Sequence, residues 1–131
     1  MVTQKTKARL EVRQAQLSDV PGIVALVSRC YKDDPASVGE IRAQISNYPD
    51  GCFIAILDDE IVGYCASMRI AQAIAFAPHS WREITGGGTG SRHDPIGEWL
   101  YGYEMCVDPK RRGVRIGQRL YDVRKALAER L

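Results

Sequence analysis

The run that most constrains this chain lies near its C-terminus: Tyr103-Glu104-Met105-Cys106-Val107-Asp108-Pro109-Lys110-Arg111-Arg112-Gly113-Val114-Arg115-Ile116-Gly117-Gln118-Arg119-Leu120. Strand-forming residues lead into Asp108-Pro109, and an apolar pattern at helical spacing then opens with Ile116 and Leu120. A strand that enters a helix through such a turn leaves the first helical N–H groups without intrahelical partners, at the positive end of the helix dipole. An anion placed there meets donors and favourable potential together. Gly113 and Gly117 let the backbone approach a phosphate with no Cβ in the way, and Arg111, Arg112 and Arg115 add charge at the rim. The geometry suits a diphosphate. From Lys110 to Lys125 there are seven Lys or Arg against one acid, Asp122, so the local field suits an anionic ligand. The formal net charge of the whole chain is only +2, which does not point to nucleic acid.

The rest of the chain reads as a frame for that turn. Residues 9–15 alternate as a strand with Leu10 and Val12 inward. Ser18 offers a helix N-cap, and Ile23, Leu26, Val27 and Cys30 form one apolar face that should fail near Asp33-Asp34-Pro35. Ser37 and Glu40 make a second capping box, ahead of a narrow stripe at Ile41 and Ile45. Cys52–Leu57 and Glu60–Ile70 read as a hairpin turned by Asp58-Asp59. Residues 71–97 read as a long loop with a helical turn at Trp81–Thr85, and the Gly86–Gly90 run reads as a mobile segment. A strand follows at Glu98–Val107. Then comes a helix from Ile116 to Leu131, buried through Ile116, Leu120, Val123 and Leu127. The 131 residues suggest one domain, and the unterminated final helix suggests an interrupted fold. The four cysteines form no zinc pattern and read as free thiols. Neither a secretory signal nor a membrane-spanning run is visible, so a cytoplasmic protein is expected, with neither membrane nor nucleic acid as partner.

The segment from Cys106 to Leu120 resembles motif A of the GNAT superfamily of N-acetyltransferases, which reads Gln/Arg-x-x-Gly-x-Gly/Ala after a strand. Arg112 matches its first position and Gly117 its last; at 115 the family usually has Gly and this chain has Arg115. Arg115 either keeps its backbone N–H on the ligand while its side chain adds charge, or blocks close approach. The opening Val-Arg-Gln-Ala…Ser-Asp-Val-Pro-Gly-Ile is also typical. Arg-Gly-Val-Arg-Ile-Gly-Gln-Arg-Leu-Tyr-Asp-Val-Arg-Lys resembles a narrower group in which such a domain precedes a carbon–nitrogen hydrolase (nitrilase-like) domain.

The resemblance implies an α/β fold: a mixed, mostly antiparallel sheet flanked by helices. Residues 1–131 would be its N-terminal two-thirds, with the C-terminal part missing. It implies acetyl-CoA as co-substrate, no metal, and direct transfer of acetyl to an amine without an acyl-enzyme. The diphosphate would lie on Arg112, Gly113, Val114, Arg115, Ile116, Gly117 and Gln118. The backbone of Met105, Cys106 and Val107 would pair with the pantetheine arm. Glu104 would be the base, or else a surface or salt-bridged Glu. Alternation puts Glu104 and Cys106 on one face, with Tyr103, Met105 and Val107 on the other. Cys106 reads as a buried side chain rather than a nucleophile. His93-Asp94 is either a base with its orienting acid or a solvated loop. Tyr31, Trp81 and Trp99 line an acceptor site, or else belong to core or rim. A homodimer and a fused hydrolase domain beyond Leu131 are further partners to test. The rival reading is a non-catalytic acyl-CoA-binding module that regulates such a hydrolase.

Overall fold

The structure is a computed structural model and describes residues 9–111 and 115–131. Four strands, β1 (Leu10–Gln14), β2 (Phe53–Leu57), β3 (Glu60–Ile70) and β4 (Trp99–Val107), form one sheet in the order β1-β2-β3-β4. All three pairings are antiparallel. Asp58 and Asp59 both adopt positive φ, 52° and 63°, which matches the hairpin's two-residue turn to the twist of its strands.

Helices α1 (Val20–Cys30) and α2 (Val38–Asn47) cover one face. Ile23, Leu26, Val27, Ile41 and Ile45 pack there against Ile54, Tyr64 and Met68. Helix α5 (Ile116–Arg130) covers the other face, where Ile116 and Leu120 meet Ala55, Val62 and Cys65. The expected face of α5 is buried at Ile116, Leu120 and Leu127, whereas Val123 is only half-buried. Gly63 lets this helix close onto β3. A Cβ there would come within 2.7 Å of Ile116 Cγ2 and 3.0 Å of Leu120 Cδ1.

Two helix starts illustrate local chemistry. Ser37 Oγ accepts from the Glu40 N–H (3.2 Å) and caps α2 as expected. Before α1 the capping acid is Asp19 rather than Ser18. It accepts from the Gln16 N–H and takes a two-point contact from Arg13, across a 3-10 turn at Leu17–Asp19. Residues 71–97 carry more structure than a loop: two short helices, α3 (Gln72–Phe76) and α4 (Trp81–Ile84), with Ser80 capping the second.

Candidate functional site

Among the described residues β4 is an edge strand, so its backbone divides between β3 and the outside. The Asp108 N–H donates to the Val62 carbonyl, and antiparallel pairing alternates. Cys106 therefore turns its backbone groups to β3, while Met105 and Val107 turn theirs outward. The outward carbonyls already have donors. Tyr31 Oη donates to the Met105 carbonyl (2.9 Å), Cys30 Sγ to Val107 (3.3 Å) and Trp81 Nε1 to Tyr103 (2.9 Å). Arg29 reaches Asp108 at 3.2 Å and the Ile61 carbonyl at 3.2 Å. The end of α1 is thus laced along the last residues of β4, and the outward N–H groups of Met105 and Val107 face the same edge.

Glu104 sits on the α1/α2 side of the sheet, where Gln44 Nε2 lies 3.5 Å from its carboxylate. Burial pushes the Glu104 carboxyl above its ordinary range, and Glu40 adds to the shift, while Gln44 opposes it. Cys106 shares this face; burial pushes its thiol up, so it stays a buried neutral side chain. Tyr103 departs from the alternation expected of it. The register shifts between Ala66 and Ser67, so that Ser67 opposes Gly102 and Ala66 opposes Glu104. Tyr103 is the extra residue of that bulge and joins Cys106 in the α1/α2 core rather than Met105 and Val107 under α5.

The basic turn begins where β4 ends. Asp108, buried, accepts from the Lys110 N–H (2.9 Å) as well as from Arg29 and so holds the exit of the strand. Arg111 stands at the wall of the neighbouring cleft, with its guanidinium leaning on Glu60 (3.4 Å) and Asp58 (3.9 Å) of the hairpin turn. Arg112, Gly113 and Val114 lie outside the described residues. Arg115 is exposed and left-handed (φ 55°), and its carbonyl takes the first helical bond, from the Arg119 N–H. Ile116 is core, Gly117 is half-buried, and Gln118 is exposed and donates to Asp122 (2.9 Å). A cleft of about 740 Å³ opens beside the turn, walled in part by Arg29, Asp108, Lys110 and Arg111.

Other sequence candidates fall away from this edge. His93 Nδ1 accepts from the Arg69 N–H (3.0 Å) and its ring stacks on Tyr48 at 4.0 Å. Burial and Arg69 lower its pKa, so the ring is a neutral pin. Asp94 accepts instead from the Ile96 N–H, so the two do not form the base–acid pair that their spacing suggested. Trp99 lies on the rim, edge-on to Phe76. The glycine run is pinned rather than loose: Gln44 donates to the Gly88 carbonyl (2.8 Å) and Asn47 to the Thr89 carbonyl (3.0 Å).

Gln44 and Tyr64 were not foreseen. The Tyr64 hydroxyl donates to Gln44 Oε1 (2.7 Å), and both side chains are fully buried. The signal was present in the spacing. Gln44 follows Ile41 by three and precedes Ile45 by one, a polar residue inside an apolar stripe.

Comparison with known proteins agrees with this architecture. The model of the acetyltransferase (GNAT) family matches residues 20–131. The probable hydrolase YhcX of Bacillus subtilis (strain 168) is 34% identical over 124 residues, 94% of this chain and 24% of that protein. Among solved structures, the GphF GNAT-like decarboxylase in complex with isobutyryl-CoA has a TM-score of 0.79 and 32% identity, covering 92% of this chain and 60% of that one. The loading GNATL domain of CurA from Lyngbya majuscula superposes with a TM-score of 0.76 at 22% identity, covering 91% and 58%. The chain thus spans about a quarter of the one relative and three-fifths of the others. With the family model matched over most of its length, the chain belongs to the acetyltransferase (GNAT) family.

Proposed function

We propose that this domain moves an acyl group from a coenzyme A thioester to an amine, with acetyl as the first candidate. The observation that carries the reading is Glu104. It is a carboxylate largely withdrawn from water, on the strand whose outer edge presents the Met105 and Val107 N–H groups and whose end runs into the basic turn. An ammonium must lose a proton before it can attack a thioester carbonyl, and a carboxylate of raised affinity for protons is suited to take it. The pantetheine arm would pair with the outward N–H groups of Met105 and Val107, with Cys106 supplying only the spacing between them. The diphosphate would rest on residues Arg112 to Gln118, the last of which open α5. The ammonium gives one proton to Glu104, its nitrogen attacks the thioester carbon and forms the C–N bond, the C–S bond breaks, and coenzyme A leaves as the thiol with the second N–H proton. No metal enters this scheme.

GphF is described as a decarboxylase bound to isobutyryl-CoA, so the acyl group here need not be acetyl. Acetyl-CoA and isobutyryl-CoA are therefore both titrated by calorimetry and both offered with a panel of small amines and peptide N-termini. Binding with turnover on an amine supports the transferase, and binding that Glu104→Gln leaves intact while turnover is lost supports the base. Absence of binding by either thioester overturns the reading. YhcX, called a probable hydrolase, keeps a second reading open: an acyl-CoA-binding module attached to a hydrolase. Tight binding with no turnover on any amine favours it.

A further inference from the structure

We infer that Gln44 is a positioning residue for Glu104, an amide locked in one orientation so that it must present an N–H to that carboxylate. This rests on the reading of Glu104 as the base.

The lock is a matter of donors and acceptors. A tyrosine hydroxyl 2.7 Å from Gln44 Oε1 has one proton to donate, and burial keeps the Tyr64 hydroxyl protonated. The Gly88 carbonyl, 2.8 Å from Nε2, can only accept. Turning the amide over would set its NH₂ on the tyrosine and its oxygen against a carbonyl oxygen, two lone pairs facing in a buried site. The Gly88 carbonyl therefore fixes the orientation and the Tyr64 proton on Oε1 reinforces it, so that the second N–H of the amide is left for Glu104 Oε1 at 3.5 Å. That contact is long, as donor contacts to catalytic groups often are before substrate binds. The other titratable groups facing Glu104 are Glu40 from α2, Tyr31 beyond α1, Tyr64 from β3, and Tyr103 and Cys106 from β4 itself. None of them is a cation, and Glu40 brings a like charge. The Gln44 N–H is thus what favours the ionised base against burial and repulsion. The glycine run gains a role from the same contacts, since the Gly88 carbonyl is one jaw of the lock. Gly88 holds φ 86° there, and a Cβ would strike the Trp81 ring at 2.7 Å.

The test follows the Glu104 carboxyl directly, by its carbon chemical shift against pH, in the wild type, Gln44→Met and Tyr64→Phe. Gln44→Met removes the donor and should raise the midpoint by about one pH unit, the size expected for losing a hydrogen bond to a charged group. Tyr64→Phe removes the donor to Oε1 and so loosens an amide still held by the Gly88 carbonyl, and should raise it by less. The acid limb of kcat/KM should move with the midpoint, whereas a residue that only fills space would lower kcat without moving it. An unmoved midpoint in a folded Gln44→Met overturns the inference. If that variant does not fold, an unmoved midpoint in Tyr64→Phe does so. The chemical shift is read whether or not the protein turns over, so absent turnover counts against the proposed function and an unmoved midpoint against Gln44.

Discussion

Arg115 and Glu104 each sit where their residue type is at a disadvantage. Arg115 holds φ 55°, and a non-glycine residue in the left-handed region costs roughly 1–2 kcal/mol. Arg115→Gly relieves that strain but loosens the unfolded chain, so a net gain of about 1 kcal/mol or less is expected in chemical denaturation. Coenzyme A affinity in the same variant separates the two roles of Arg115. A drop means that its side chain adds charge to the site, and a rise means that it obstructs. Glu104 is the second case. Its folded-state carboxyl holds a proton to higher pH than the unfolded chain does, so its favourable contribution is complete below the ordinary carboxylate range and is lost as pH rises through that range toward the raised folded value. Glu104→Gln should therefore melt higher than the wild type at neutral pH, with the gap closing as pH falls through the carboxylate range. Its turnover should drop by about 10²–10⁴, the usual share of a general base. A melting gap independent of pH would contradict the burial of this carboxyl.

At the scale of elements, the helix that would carry the diphosphate is seated by glycine on the sheet below it. Gly63→Ala puts a methyl against Ile116 and Leu120, and overpacking of this kind costs about 1–3 kcal/mol. Lower stability together with weaker coenzyme A binding is expected, because the turn moves with the helix; calorimetry and a denaturant melt read both. Gly117 is different. A Cβ there meets only Val107 Cγ2 at an ordinary 3.7 Å, and a carboxylate suits the first turn of a helix. Gly117→Asp should fold with an unchanged melt and lose coenzyme A binding at least tenfold, since its charge repels a diphosphate. Full affinity in that variant would move the binding site elsewhere. The strands, the Ser37 cap and the apolar stripes behind this arrangement were legible in the sequence because each depends on near neighbours, whereas the choice of Asp19 over Ser18 before α1 was settled by Arg13 from the neighbouring strand. Ser37 and Glu40 lie three residues apart, and Ile23, Leu26 and Val27 share a face by periodicity alone. The placing of Tyr103 was not legible, since a bulge depends on how Ala66 and Ser67 pair with a strand more than thirty residues away.

In the whole molecule, α1 and β4 meet through consecutive residues. Arg29, Cys30 and Tyr31 donate to Asp108, Val107 and Met105, and this seam fixes the edge on which an acyl-CoA would lie. Asp108→Ala removes the acceptor for both Arg29 and the Lys110 N–H. A loss of about 1–2 kcal/mol is expected after allowing for the exposure of Arg29, with weaker coenzyme A binding although Asp108 itself touches no ligand in the proposed arrangement. Among the described residues no helix is long and apolar enough to cross a membrane.

The residues by themselves determined the strand that ends at Val107, the helix that opens at Ile116 and the family they resemble, because periodicity and glycine spacing act over a few residues. Only the tertiary structure decided that Arg111 leans on the hairpin acids, that His93 is a pin without Asp94 as its partner, and that Gln44 stands between Tyr64 and Glu104. Each of these depends on side chains brought together from distant parts of the chain. Burial and hydrogen-bond satisfaction then decide which partner a polar group takes, and no local pattern records that choice.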